Sequence, residues 1–300
     1  MQLEITFLTI YRMNSKRYRI GTCSWNYDSW VPLVYSQVQP RAADYLGEYA
    51  RHFDTVEIDS WFYRIPDRLA VLEYAAAVPE GFSFTCKVPQ EITLTHHRQT
   101  KKSDALEANP TFLSKDRFMQ FLDAVEPLLP RIDAIMFEFE YLNKQKMGGP
   151  EQFMDRMGGF LRQLPAGLPY AIEPRNKNYL GADWFSFLAE HKTAHVFSQK
   201  LYMPVIWEVY EQHRDIIHQN DRTVIRLIGG DRKQIEEKTG NQWNQVVEPR
   251  DQEKEKIAGM VASLVGEMFA ILSVNNHYEG CAPITARDLM GLIGKRVGTP

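Results

Sequence analysis

Cysteine is scarce in this chain, and its scarcity argues against a disulfide-stapled fold. Cys23, Cys86 and Cys281 are an odd number of thiols with no C-x-x-C spacing, which points to a reducing, cytoplasmic setting. Long apolar runs are missing too: none approaches the roughly 18 residues a membrane helix needs, so no membrane partner is expected. There is no excess of charge of one sign. A net charge of −3 and a pI near 6.3 do not indicate generic binding to nucleic acid, although a locally basic loop can still hold an anion. No G-x-G-x-x-G follows the first strand, and the chain has no nucleophile elbow, Walker loop or Ser-His-Asp order. The opening residues lack the basic region and cleavage site of a signal peptide. We therefore expect Met13 as the natural start and residues 1–18 as an N-terminal extension to a single domain over 19–300.

What is present is regular alternation. Runs with strand character lie at 19–24, 55–58, 83–87, 134–138, 170–173, 194–198, 224–227 and 271–275. Helical stretches fall between them near 41–52, 68–78, 115–127, 151–164, 183–191, 203–219 and 251–270, with a last helix starting at about Pro283. Eight strands alternating with helices predict a single (β/α)8 barrel, with a doubly wound open sheet as the runner-up.

Strand parity then places the charges. Where alternate residues face the outer helices, the remaining set faces the barrel axis. Val56 and Ile58 are apolar, so Glu57 points inward. Phe84 and Cys86 send Lys87 inward, and Ile135 and Phe137 send Glu138 inward. By the same rule Glu173, Arg175, Arg226 and Asn275 face the axis at the C-terminal ends of their strands, where active sites of this fold lie. An unpaired buried charge costs several kcal/mol, so converging charges imply either a polar site or a salt-bridge plug.

A site of this composition has two uses. Arg175 and Arg226, aided by Lys87, suit a phosphate or carboxylate, because a guanidinium offers a bidentate fork. Glu57 or Glu173 then serves as general acid or base, with Lys87 as a proton donor. Gly229-Gly230 after the seventh strand is either a turn or a phosphate-approaching loop. The long segment 89–113, with His96, His97, Arg98, Lys101 and Lys102, is either a solvated basic loop or a lid. The aromatics Trp25, Trp30, Trp61, Phe62 and Tyr63 either stack a ring or pack the upper barrel. A divalent metal held by His277 and the inward glutamates is a further alternative, opposed by the three cations in the same mouth.

Several motifs together resemble the YecE-like family, also called the domain of unknown function numbered 72. They are Ile20-Gly-Thr-Cys-Ser-Trp25, Val56-Glu-Ile-Asp-Ser-Trp-Phe-Tyr63, Phe84-Thr-Cys-Lys-Val-Pro89, Ile172-Glu-Pro-Arg175, Arg226-Leu-Ile-Gly229 and Asn275-Asn276-His277. The resemblance runs from about Arg19 to about Leu292 in the family's motif order. It implies a TIM-type barrel and no assigned reaction, with polar family positions at Glu57, Tyr63, Lys87, Glu173, Arg175, Arg226, Asn275 and Asn276. Ile228 stands where the family often has histidine, and Phe137-Glu-Phe-Glu140 replaces a more usual glutamine-and-proline run.

The sequence thus predicts a barrel enzyme for a small polar anionic substrate, with no cofactor and no resident metal. Its catalytic groups are Glu57, Glu173 and Lys87, and its binding groups are Arg175, Arg226, Asn275, Asn276, Tyr63 and Trp25. The alternatives are a metal-dependent barrel acting on sugar or nucleic-acid phosphates, or a non-enzymatic binding module.

Overall fold

Parallel strands covered on both faces are rich in Val, Ile, Leu and Phe, and eight such segments pair side by side in this chain. The computed structural model describes residues 17–99, 101 and 105–298. The strands are β1 Tyr18–Thr22, β2 Thr55–Ile58, β3 Ser83–Lys87, β4 Ile132–Glu138, β5 Tyr170–Glu173, β6 Ala194–Lys200, β7 Arg222–Gly229 and β8 Phe269–Val274. All are parallel, in the order β1-β8-β7-β6-β5-β4-β3-β2. The α-helices among the described residues are α1 Ala42–Tyr49, α2 Arg68–Ala77, α3 Gln90–Thr93, α4 Lys115–Val125 and α5 Pro150–Leu161. They continue with α6 Ala182–Glu190, α7 Ile206–Ile217, α8 Arg232–Thr239, α9 Asp251–Leu264 and α10 Ala282–Val297. This is the predicted single (β/α)8 barrel, nearly closed. Among the described residues no helix is long and apolar enough to cross a membrane.

The ring closes at the seam between β1 and β2. No ladder joins these strands; one bridge between Cys23 and Glu57 does, with the Ser24 N–H donating to the Glu57 carbonyl at 2.9 Å. Gly21 permits the approach, since a Cβ there would lie 1.9 Å from the Thr55 carbonyl oxygen. At the opposite, N-terminal end, Arg19 donates to the carbonyls of Asp54 (2.9 Å) and Gly81 (2.7 Å) and pairs with Asp133 at 3.2 Å. Arg222, opening β7, donates to the Asp133 carbonyl at 3.2 Å at the same end.

Strand parity is visible in the core. Ala134, Met136, Ala171, Ala194, Val196, Val224 and Ile271 form a small apolar cluster inside the barrel. Ile135, Phe137, Ile172, Ile225, Leu227, Leu272 and Val274 belong to the large cluster between sheet and helices. The polar interior positions gather instead on β2 and β3, where Thr55 pairs with Ser83 and Glu57 with Thr85, all buried.

Two helices go beyond the expected set. The turn α3 lies within segment 89–113. The helix α8 is polar almost all round, burying only Ile235 and Thr239, so no apolar period announces it. Its start is set by Asp231, whose carboxylate accepts from the Lys233 and Gln234 N–H groups, and its end by Gly240 in the left-handed region. Of the expected extension over 1–18, only Arg17 and Tyr18 are among the described residues, and Tyr18 opens β1. Lys102 also lies outside them.

Candidate active site

Arg226 rises from the middle of β7 into the barrel axis, where it is 2% exposed. A guanidinium so deeply placed needs anionic partners on every side, and three strands supply them. Its Nε donates to Glu57 Oε2 at 2.8 Å and its Nη2 to Glu57 Oε1 at 2.6 Å, a bidentate grip on β2. Its Nη1 donates to Glu138 of β4 at 2.9 Å and to Glu173 of β5 at 2.5 Å. Ser198 of β6 donates to the other oxygen of Glu173 at 2.5 Å. Lys87, ending β3, pairs with Asp59 (2.5 Å), Glu138 (3.2 Å) and Glu57 (3.7 Å). Arg175, just beyond β5, pairs through Nε with Glu173 at 2.7 Å and through Nη2 with Glu138 at 3.0 Å. The six charges predicted from strand parity therefore meet in one network, joined by Asp59.

Burial divides this network. Glu57 and Glu173 are fully buried, whereas the side chains of Asp59, Glu138, Arg175 and Lys87 keep 27%, 16%, 14% and 11% exposure. Of these, Glu138 and Arg175 lie on the wall of a cleft of about 880 Å³, within the size range of small-molecule sites. The cleft opens over the ends of β4, β5 and β6, with segment 89–113 forming one side through Thr93, Leu94 and His96. Lys200, the last residue of β6, also lines it and makes no contact ion pair among the described residues.

The electrostatics follow the same division. Burial pushes the Glu57 carboxyl up to about 7, against the pull of Arg226 and with the help of the charge on Asp59. Burial also opposes ionisation of Glu138, but Lys87, Arg175 and Arg226 outweigh it and hold its carboxyl well below the usual range. Lys200 is pushed below the ordinary lysine value by burial and then by the positive charge of Arg175. Lys87 is held above its ordinary value: burial and Arg226 work against its charge, and Asp59, Glu138 and Glu57 more than compensate.

A family model described as "Protein of unknown function DUF72" matches residues 19–300. The chain belongs to the DUF72 family. The UPF0759 protein YecE of Escherichia coli K12 is 27% identical to it over 160 residues, which cover 53% of this chain and 49% of that protein. The chain thus spans about half the length of the curated relatives it matches. A DUF72 family protein from Enterococcus faecalis matches with a TM-score of 0.65 at 19% identity, covering 94% of this chain and 96% of that one. One from Thermotoga maritima matches with a TM-score of 0.66 at 18% identity, covering 92% and 98%. At these identities the likeness to the solved structures is one of fold.

Within this DUF72 barrel the remaining predicted binding residues scatter. Trp25 is buried, donates from its indole to the Ala42 carbonyl at 2.7 Å and meets Tyr74 edge-on, so it packs the upper barrel. Trp30 and Trp61 are likewise buried packing residues. Tyr63 is exposed but does not line the cleft; its neighbour Phe62 does, with the Lys87 ammonium 5.4 Å from its ring centre. Asn275 accepts from the His277 N–H at 3.0 Å, and Asn276 accepts from the Ala282 N–H at 2.9 Å at the start of α10. Both asparagines organise the loop after β8 and stand outside the cleft. Gly229 is there for packing: at φ +93° a Cβ would lie 2.2 Å from the His277 carbonyl oxygen.

The residues of the metal alternative make contacts with other groups of the chain. His277 is taken by Asn275 and Glu236, while the three glutamates direct oxygens at Arg226. Cys23, Glu57 and Asp59 do come together, but burial first, and then the charge of Glu57, push the Cys23 thiol well above its ordinary value. Arg226 and Lys87 occupy the two carboxylates there.

Lys200 is a site residue that the sequence pattern does not single out, because the expected sixth strand stops at Ser198. The signal is nonetheless there: Ala194 and Val196 face the interior and Ser198 reaches Glu173, so two more residues of the same parity lead to Lys200.

Proposed function

We propose that this barrel is an enzyme that binds a small polar anion in the cleft over β4–β6 and moves protons there with Glu138 and Lys200. The observation that carries this reading is the meeting of Arg175, Lys200 and Glu138 on one open wall at the C-terminal end of the strands. Arg175 lies at ion-pair distance from Glu173 and Glu138 through Nε and Nη2, while its Nη1 makes no hydrogen bond among the described residues and is available to a phosphate or carboxylate. Lys200, with its lowered proton affinity, serves as a second anion contact and as a proton donor.

This reading moves the chemistry away from Glu57, Glu173 and Arg226. Those three saturate one another below the mouth and hold the floor rigid. Substrate binding also has a built-in consequence for Glu138. An anion seated on Arg175 draws off positive charge that keeps Glu138 ionised, so the carboxylate becomes a stronger base once the site is filled. The three cysteines are buried and free, which fits a reducing, cytoplasmic setting.

The test is calorimetric titration of inorganic phosphate into the wild-type chain, Arg175→Ala and Lys200→Met, followed by turnover assays on phosphate- and carboxylate-bearing compounds with Glu138→Gln. Saturable binding that falls about tenfold or more in each binding variant is expected, since a charge-assisted hydrogen bond contributes roughly 1.5–3 kcal/mol. Turnover in Glu138→Gln is expected to drop at least ~100-fold, in the range of a lost acid–base group. Equal phosphate binding by all three proteins would overturn the anion site, and full activity in Glu138→Gln would remove its role.

A further inference from the structure

Two tyrosines in the cleft have no packing task. Tyr202 is 86% exposed and Tyr141 65% exposed, yet both lie on the cleft wall beside the charged floor. A single exposed tyrosine is ordinary on a protein surface, but two in one concave site offer a pair of ring faces to a ligand. Their places in the fold are informative. Tyr141 follows β4 and Tyr202 follows β6, and β5, whose end carries Arg175, lies between those strands. The two rings therefore stand on the loops that flank the arginine. Tyr202 is also held at φ +69°, a backbone region that bulky residues rarely adopt, between the Leu201 N–H bonded to the Gly229 carbonyl (3.1 Å) and the Met203 N–H bonded to the Lys200 carbonyl (3.1 Å). That backbone conformation sets the direction in which the side chain leaves the loop.

The rest of the lining narrows the chemistry. Beside its charged groups the cleft offers Leu94, Phe139, Leu201 and Met203, with Thr93 and Gln99 as its neutral polar side chains. Sugar hydroxyls bond charged as well as neutral groups, so the polar lining does not decide the ring, and the aromatic and aliphatic faces are what favour a flat unsaturated one. We infer that the anion taken by this cleft carries such a ring, in the manner of a mononucleotide, with the ring against Tyr202 and Tyr141 and the phosphate on Arg175 and Lys200. This deepens the proposed function and rests on it.

The experiment compares adenosine monophosphate, glucose 6-phosphate and inorganic phosphate by calorimetry on the wild-type chain, Tyr202→Ala, Tyr202→Phe and Arg175→Ala. Because Tyr202 is almost fully exposed, its variants should keep the fold. Adenosine monophosphate is expected to bind about tenfold or more tighter than phosphate, the scale of one base–aromatic stack. Tyr202→Ala should lose that gain and Tyr202→Phe should keep it, with phosphate affinity unchanged in both. Three results overturn the inference alone while phosphate still binds in an Arg175-dependent way: no gain from the base, an equal gain from glucose 6-phosphate, or a gain that survives Tyr202→Ala. If neither phosphate nor adenosine monophosphate binds the wild type, the anion-site reading falls and takes the inference with it.

Discussion

Arg226 and Arg175 are both arginines at the mouth of one barrel, and both touch Glu138 and Glu173, but they do different work. Arg226 is enclosed and hydrogen-bonds carboxylates from three strands, whereas Arg175 stands at the cleft wall at ion-pair distance from two of them and makes no hydrogen bond among the described residues. The glutamates around Arg226 thus form a buried ionic scaffold, and the ends of β4–β6 add an open surface beside it. Charge at a strand end does not by itself mark a functional group. Residual accessibility and an unfilled bonding valence do.

The sharpest way to break the comparison is to remove the centre of the scaffold. Arg226→Met strands buried carboxylates without a counter-charge and is expected to destabilise the fold by about 3–5 kcal/mol, read by urea unfolding. A loss below about 1 kcal/mol would mean the network is not structural.

A second, smaller effect depends on pH. The folded value of Glu57 lies above its ordinary 4.5, so between about 4.5 and 7 the folded chain holds protons that the unfolded chain releases. Its contribution is complete below 4.5 and is lost as pH rises through 7. Glu57→Gln does not titrate, so the gap in unfolding free energy between wild type and variant should be roughly 1–3 kcal/mol larger at about pH 5 than at about pH 8. A gap that stays constant with pH, or widens toward the alkaline end, would contradict this assignment.

The smallest effect belongs to the open side. Lys200 sits in the cleft against its own electrostatic preference, so Lys200→Met should leave thermal stability unchanged or slightly raised, within about 0.5 kcal/mol. A large loss of stability would place Lys200 in the scaffold instead.

Much of the barrel and its charged floor is legible in the sequence. Period-two patterning on β2, β3, β4, β5 and β7 brings Glu57, Lys87, Glu138, Glu173 and Arg226 to the axis, because alternation of side chains is a local property of a strand. What patterning does not carry is angle and depth. Nothing local distinguishes Arg226, sunk among three glutamates, from Arg175 nearer to solvent, since the difference arises from strands far apart in sequence. The same limit explains Trp25 and Tyr63. Both follow strands and both are aromatic, yet one turns under the loops and the other out to water. Lys200 escapes for a simpler reason: β6 runs two residues past the end of its apolar pattern. Tyr202 carries no signal at all, because its φ of +69° is imposed by the bonds of its neighbours to Gly229 and Lys200 and by no turn motif of its own.

The seam between β1 and β2 gives the scaffold a second meaning. With one backbone bridge there, β1 and β2 approach closely at Gly21 but share little of the ladder that joins the other strands. The Glu57–Arg226 pair reaches from β2 over β1 and β8 to β7, so it acts as a clasp across the seam. The closure of the barrel and the floor beneath the cleft are therefore held by the same two side chains.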